Sequence, residues 1–257
     1  MQNLLKYIIL VLCCTPFAHA APRELSNLTI IADPSLILPL NALVRDYSIA
    51  NHIAVTLVSS EEKDPETLIR EGMEAHVLIS ADAGLTTQLQ LRGLVDVFAK
   101  SPLVRTELVM ARRKEDSSSL SGQWTLANLF LNQENTIPIF LLDPKHYMEG
   151  ARSIAALNAN EVSFNSRVVI SRKQALIARL KQEESAGILL GPDVLLDPEL
   201  IVVSVIPETQ VEPIIFMALT LASESMSEAR HLVKFLQSDA ATARFAQYGF
   251  KPAALGK

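Results

Sequence analysis

The sequence predicts an α/β protein built on mostly parallel sheets flanked by helices. Short β-branched and apolar runs alternate with amphipathic stretches along most of the chain, and residues that start or stop helices stand at the joins. The chain has 257 residues, 49% of them hydrophobic, enough for a sizeable core in one or two domains.

Leu28 to Ala32 reads as the first strand. Asp33-Pro34-Ser35 leads into a helix whose apolar Leu36, Leu40, Leu43, Val44 and Tyr47 fall on one face, with Pro39 in its first turn. Ile53 to Val58 is a second strand. Asp64 is an N-cap with Pro65 behind it, and Gly72 closes that short helix. His76 to Ser80 is a third strand, followed by a helix ending at Gly93. Val104 to Ala111 reads as one longer strand.

Beyond the polar stretch 112–122, Trp124 to Leu131 reads as an amphipathic helix, with Trp124 in the core. Ile137 to Leu142 is a strand ending in Asp143-Pro144, with a helix starting near Gly150. Arg167 to Ile170 is a strand, and Ser171 with Gln174 forms a capping box. Gly187 to Leu190, Ile201 to Ile206 and Pro213 to Leu221 are strands. Ser225 with Glu228 caps a helix through Gln237, and Asp239 caps a last one ending at Gly249. In such sheets ligands bind beyond strand C-termini, beside helix N-termini. The loops of interest are therefore 33–35, 59–64, 80–82, 143–150 and 191–193.

Composition excludes several function classes. The net charge of −5 argues against a nucleic-acid partner or a polybasic membrane surface. The 9 glycines form no G-x-G-x-x-G, phosphate-loop or G-x-S-x-G pattern. Residues 1–20 read as a signal peptide: Lys6, an apolar run from Tyr7 to Cys14, then Ala18-His19-Ala20 before the cut at Ala21. The run is shorter than the ~20 residues of a membrane span. Both cysteines lie in it, so the exported chain has no thiol and no disulfide, and no later run inserts stably in a membrane.

Among His52, His76, His146 and His231 no pair has metal-ligand spacing, and only His146 lies in a loop of interest. Glu61-Glu62 and Glu183-Glu184 read as solvated faces, and Arg112-Arg113-Lys114 is too short for a nucleic-acid patch. No nucleophile, metal set or cofactor motif emerges, so neither an enzyme nor a cofactor is expected.

Six segments of the chain, in order, carry a family resemblance. Ile30-Ile31-Ala32-Asp33-Pro34-Ser35-Leu36 stands where the family has a strand, small residues and Ser-Leu. Ala75 to Asp82 matches an "ADVFISAD" strand, with Leu91-Arg92-Gly93-Leu94-Val95 behind it, and Leu108-Val109-Met110 matches a crossover strand. Asp143 to Gly150 matches a "GDPxHVPAG" loop, Gly187 to Asp193 a "GIVYxxD" segment, and Tyr248-Gly249-Phe250 a "YGF". The likeness spans about residues 28 to 250, and in it the chain resembles the periplasmic molybdate-binding proteins of ABC transporters, which have the type II periplasmic binding fold.

The resemblance implies two lobes about a cleft, 21–106 with 213–257 forming one and 107–212 the other. It implies a small oxyanion, molybdate or tungstate, held by hydroxyls and helix N-termini without a neutralising Arg or Lys. Ser35, Ser59 and Ser60 would bind from lobe 1, and the loops starting at Tyr147 and Asp193 from lobe 2. It also implies a periplasmic location and a membrane permease as partner. The departures are specific. Where the family has Ser-Ser-Gly, Ser59-Ser60 run into Glu61-Glu62-Lys63, which places carboxylates beside an expected anion. The family's binding Tyr falls on Leu190, and its Val-Pro on the larger Tyr147-Met148. They motivate an alternative, in which the ligand is lost or changed and the protein is an interaction or sensory module.

Overall fold

The computed structural model describes residues 27–61, 63–114, 138–159, 167–170 and 172–253, less the side chains of 96–99 and 167–169. The expected signal peptide, Glu62, the Trp124 helix and Ser171 lie outside the described residues. The described residues form two mixed sheets with helices packed on them. The first has the order β11-β4-β10-β3-β1-β2 and the second β7-β6-β8-β5-β9.

Strands β1 (Asn27–Ala32), β2 (Ala54–Ser59) and β3 (Val77–Ser80) run parallel. β10 (Ile214–Leu221), β4 (Val95–Thr106) and β11 (Lys251–Pro252) add antiparallel pairs. In the second sheet β6 (Ile139–Leu142) lies parallel to β7 (Arg167–Ile170) and β8 (Ala186–Leu190). β5 (Leu108–Arg113) and β9 (Leu200–Val205) are antiparallel additions. Parallel pairing is thus confined to the β-α units, because strands that carry the chain between sheets enter from the opposite end.

One expected element divides. The run read as a single strand over 104–111 is two strands broken at Glu107, where the chain leaves the first sheet for the second. It returns between Val205 and Ile214. Leu108 C=O accepts from the Ile206 N–H at 2.9 Å, which ties the two crossings together, and Glu107 C=O accepts from the Gly191 N–H at the end of β8 at 3.1 Å. An apolar cluster runs through this junction without a break, from Leu103 and Phe216 through Leu108 and Ile206 to Ile188 and Leu190.

Helices α1 (Ile37–Asn51), α2 (Pro65–Arg70) and α3 (Ala83–Leu91) follow the first sheet's parallel strands. α4 (Met148–Ala159), α5 (Lys173–Gln182) and α6 (Gly191–Leu195) follow those of the second. α7 (Met226–Leu236) and α8 (Asp239–Gln247) return to the first. Their N-termini therefore stand beyond the strand C-termini. Asp64 caps α2 as expected, accepting from the Thr67 N–H at 2.9 Å. Ser238, not Asp239, caps α8, its hydroxyl accepting from the Ala241 N–H. Ser225 stands at the start of α7 but makes no side-chain cap.

α4 needs Gly150. A Cβ there would lie 2.3 Å from the Leu142 carbonyl oxygen, so only glycine lets α4 begin this close to the end of β6. That approach fixes where Glu149 points.

Candidate binding site

The loops at the C-terminal ends of the two sheets meet around one buried ionic cluster. Its centre is Lys173, the first residue of α5, whose side chain is 5% exposed. The Lys173 ammonium lies 2.6 Å from Glu149 Oε1 and 3.0 Å from Asp193 Oδ2, and it donates to Ser35 Oγ at 2.5 Å. Glu149 and Asp193 come from the first turns of α4 and α6. Ser35 comes from the 3₁₀ turn Pro34–Leu36 behind β1. The cluster thus joins loops of different sheets. Ser35 also bonds to the Asp193 carboxylate.

Asp33 completes the cluster. Its Oδ1 accepts from the Ser35 N–H at 2.9 Å, so it caps the 3₁₀ turn, the role a helix-initiating Asp is expected to play. Burial pushes its carboxyl up to about 6, against the lowering effect of Lys173, with Glu149 and Asp193 adding to the rise. Burial raises Asp193 in the same way. Burial alone would drive Lys173 toward its neutral form, but Asp193, Glu149 and Asp33 outweigh it and hold its pKa well above the usual lysine value. A lysine so firmly protonated cannot take a proton from Ser35. The Ser-Lys contact therefore lacks the base that nucleophilic catalysis requires.

Above the cluster a pocket of about 620 Å³ opens between the loops of the two sheets. Asp33, Ser60, Glu61 and Asp82 line it from the first sheet, and Tyr147 and Arg172 from the second. The expected binding residues separate here. Ser35 lies in the cluster beneath and its hydroxyl is already engaged. Ser60 lines the pocket, its N–H donating to the Ala32 C=O at 2.9 Å. The Ser59 hydroxyl accepts from the Glu61 N–H at 3.3 Å and so serves its own turn. Tyr147 is buried against the second sheet's core and borders the pocket, its hydroxyl bonded to the Lys173 backbone. Asp193 meets Lys173 rather than the open space.

Glu61 reaches across to the second sheet, where Gln174 Nε2 donates to its Oε2. His146 pairs with Asp143 at 3.1 Å on the pocket rim. Leu190 is fully buried in the shared core and offers no polar contact. Among the described residues no group of three or more His, Cys, Asp or Glu side chains is arranged to hold a metal ion.

Sequence reasoning missed Lys173 and Glu149. Glu149 gives no warning, because an acid in a helix's first turn is locally favoured. Lys173 does. A cation at the first residue of a helix opposes the helix dipole and needs a compensating anion, and its loop follows a parallel strand as the flagged loops do.

Two mixed α/β sheets joined by two crossings, with their helix-bearing loops facing one pocket, define a type II periplasmic binding protein. The chain belongs to the bacterial extracellular solute-binding proteins, whose family model matches residues 28–251. The molybdate-binding protein ModA of Haemophilus influenzae is 22% identical over 91% of this chain and 92% of its own. The periplasmic molybdate-binding protein of Azotobacter vinelandii superposes with a TM-score of 0.72 at 15% identity, covering 90% of this chain and all of that one. PEB3 of Campylobacter jejuni, in its L-phospholactate-bound structure, gives 0.66 at 15% identity over 87% and 99%. The likeness to molybdate-binding proteins expected from the loops is borne out, in divergent form. The family is one of binding proteins rather than enzymes.

Proposed function

We propose that this chain is the periplasmic solute-binding component of an ABC importer. It takes a polar solute in the pocket between the loops of the two sheets and presents it to a membrane permease. The observation that carries this reading is the pocket itself, about 620 Å³ and bordered by both sets of loops. The lobe division at 106/107 and 212/213 is consistent with it, since the strands on either side fall in different sheets. Among the described residues no helix is long and apolar enough to cross a membrane.

We propose that the solute carries polar groups beyond those of a bare tetrahedral oxyanion. Asp33, Glu149 and Asp193 surround the point that Ser35 marks, and one lysine cannot neutralise three carboxylates. The second reading keeps the small oxyanion, molybdate or tungstate, and the likeness to molybdate-binding proteins favours it. It requires the anion to displace Glu149 and Asp193 from Lys173.

Thermal melts decide between them. A ligand that binds only the folded state adds about 2.7 kcal/mol at a hundredfold excess over its Kd. Molybdate, tungstate, sulfate and phosphate at millimolar concentration are expected to leave the melt unchanged. A solute released by denaturing freshly purified protein, identified by mass spectrometry, is expected to raise it when added back. A molybdate or tungstate shift selects the second reading. No carried solute, and no shift across a metabolite library, overturns solute binding and leaves an interaction or sensory module.

A further inference from the structure

We infer that Lys173, Glu149 and Asp193 form a built-in occupant of the oxyanion position, which bars bare oxyanions and latches the loops of the two sheets together without solute. The reading of the pocket as a solute seat supplies the context, but the latch stands on its own contacts.

The electrostatics are those of a ligand supplied from within. Helix N-termini attract anions through their unpaired N–H groups and the positive end of the dipole. Here Glu149 brings a carboxylate to the first turn of α4, where an external anion would otherwise be favoured, and Asp193 brings a second to the same ammonium. Lys173 then pairs with carboxylates from two elements of the second sheet and donates to Ser35 of the first, so its ammonium already faces three partners from within the chain.

The bridge spans the sheets twice. Beside the Lys173–Ser35 contact, Gln174, the next residue of α5, donates to Glu61 of the loop behind β2. Asp33 faces the same ammonium from the first sheet, and Tyr147 lies against the Lys173 backbone from the second. Opening the loops therefore separates a buried cation from Ser35 and Asp33 while leaving it paired with Glu149 and Asp193. The second sheet's loops keep the cation paired in either state, which makes the Ser35 contact a releasable one.

The test compares the wild type with Lys173→Met and with the neutral triple variant Lys173→Met, Glu149→Gln, Asp193→Asn. The triple variant removes Lys173 together with the two carboxylates in contact with it, so neither of them is stranded if the single variant does not fold, while Asp33 keeps its bond from the Ser35 N–H. Hydrogen exchange read by mass spectrometry is expected to show the 33–36 and 143–150 amides exchanging at least tenfold faster in the triple variant, with α1 and α7 unchanged. Molybdate at millimolar concentration is expected to raise the melting temperature of the triple variant and not that of the wild type. Unchanged exchange at 33–36 and 143–150 overturns the latch. Molybdate stabilising the wild type as much as the variant, or failing to stabilise the variant, overturns the occupant. The exchange arm involves no solute, so a protein that binds none refutes the solute-binding reading and leaves the latch to be judged by its own data.

Discussion

Replacing Lys173 by Met tests the buried cluster at its centre. Methionine keeps the length and the apolar stem and removes only the ammonium. Glu149, 2% exposed, and Asp193, 9% exposed, then stay buried without the ammonium that paired with them. Removing one partner of a buried pair typically costs about 3–5 kcal/mol, because the remaining charge is stranded in a medium that solvates it poorly. In a chain of this size each kcal/mol moves the melting temperature by about 2–4 °C, so the expected loss is roughly 6–20 °C. Urea unfolding followed by far-UV circular dichroism measures the cost at pH 7.5 and at pH 5.0.

The two pH values carry the sign of the effect. Asp193, already raised by burial, loses the ammonium that opposed the rise and takes up a proton more readily in the variant. A carboxyl whose pKa is raised in the folded state stabilises most below its unfolded pKa, and that contribution is lost as pH climbs through the folded value. Acid therefore rescues the variant more than the wild type, and the cost at pH 5.0 falls below that at pH 7.5. A cost under about 1 kcal/mol at pH 7.5 would show that the cluster is solvated or rearranges freely. An equal cost at both pH values would show that stranded carboxylates are not its source. Either result refutes the reasoning.

Asp33→Asn keeps a cap acceptor for the Ser35 N–H and removes a carboxyl held near 6 against an ordinary 3.8. Such a displacement corresponds to at most about 3 kcal/mol, so urea melts at pH 7.5 should show a gain of about 1–3 kcal/mol that vanishes near pH 4. Gly150→Ala pushes a methyl to 2.3 Å from the Leu142 oxygen and is expected to cost about 1–3 kcal/mol or more by thermal melt, through displacement of α4. Tyr47→Phe removes the 3.0 Å contact between the Tyr47 hydroxyl and His231 Nδ1 across α1 and α7, for a loss of about 0.5–1.5 kcal/mol in the same assay.

Most of the fold was legible because its signals are local. Asp64-Pro65 starts α2 through one side-chain bond and one missing N–H, both decided within a single turn. Gly72, Gly93 and Gly249 end their helices with positive φ, which a sequence declares by placing glycine there. The break at Glu107 was hidden because β4 and β5 are both β-rich, and only their pairing with different sheets separates them. The α8 cap went to Ser238 over its neighbour Asp239 because either side chain can serve, and one residue of helix phase decides the choice.

The site was legible as a set of loops but not as chemistry. Asp33, Glu149 and Asp193 each have a sufficient local reason to stand where they do, since an acid at a helix start is favoured with or without a ligand. Positions 33, 149, 173 and 193 are far apart in the chain, so no spacing rule unites them. Lys173 alone has no local reason. Its charge opposes the dipole of its own helix, and its burial would be prohibitive without compensation. A lysine at the start of a helix behind a parallel strand therefore implies carboxylates arriving from other strands. The same three acids, each locally favoured at the start of its own helix or turn, become, once that lysine is counted, the walls of a site that supplies its own ions.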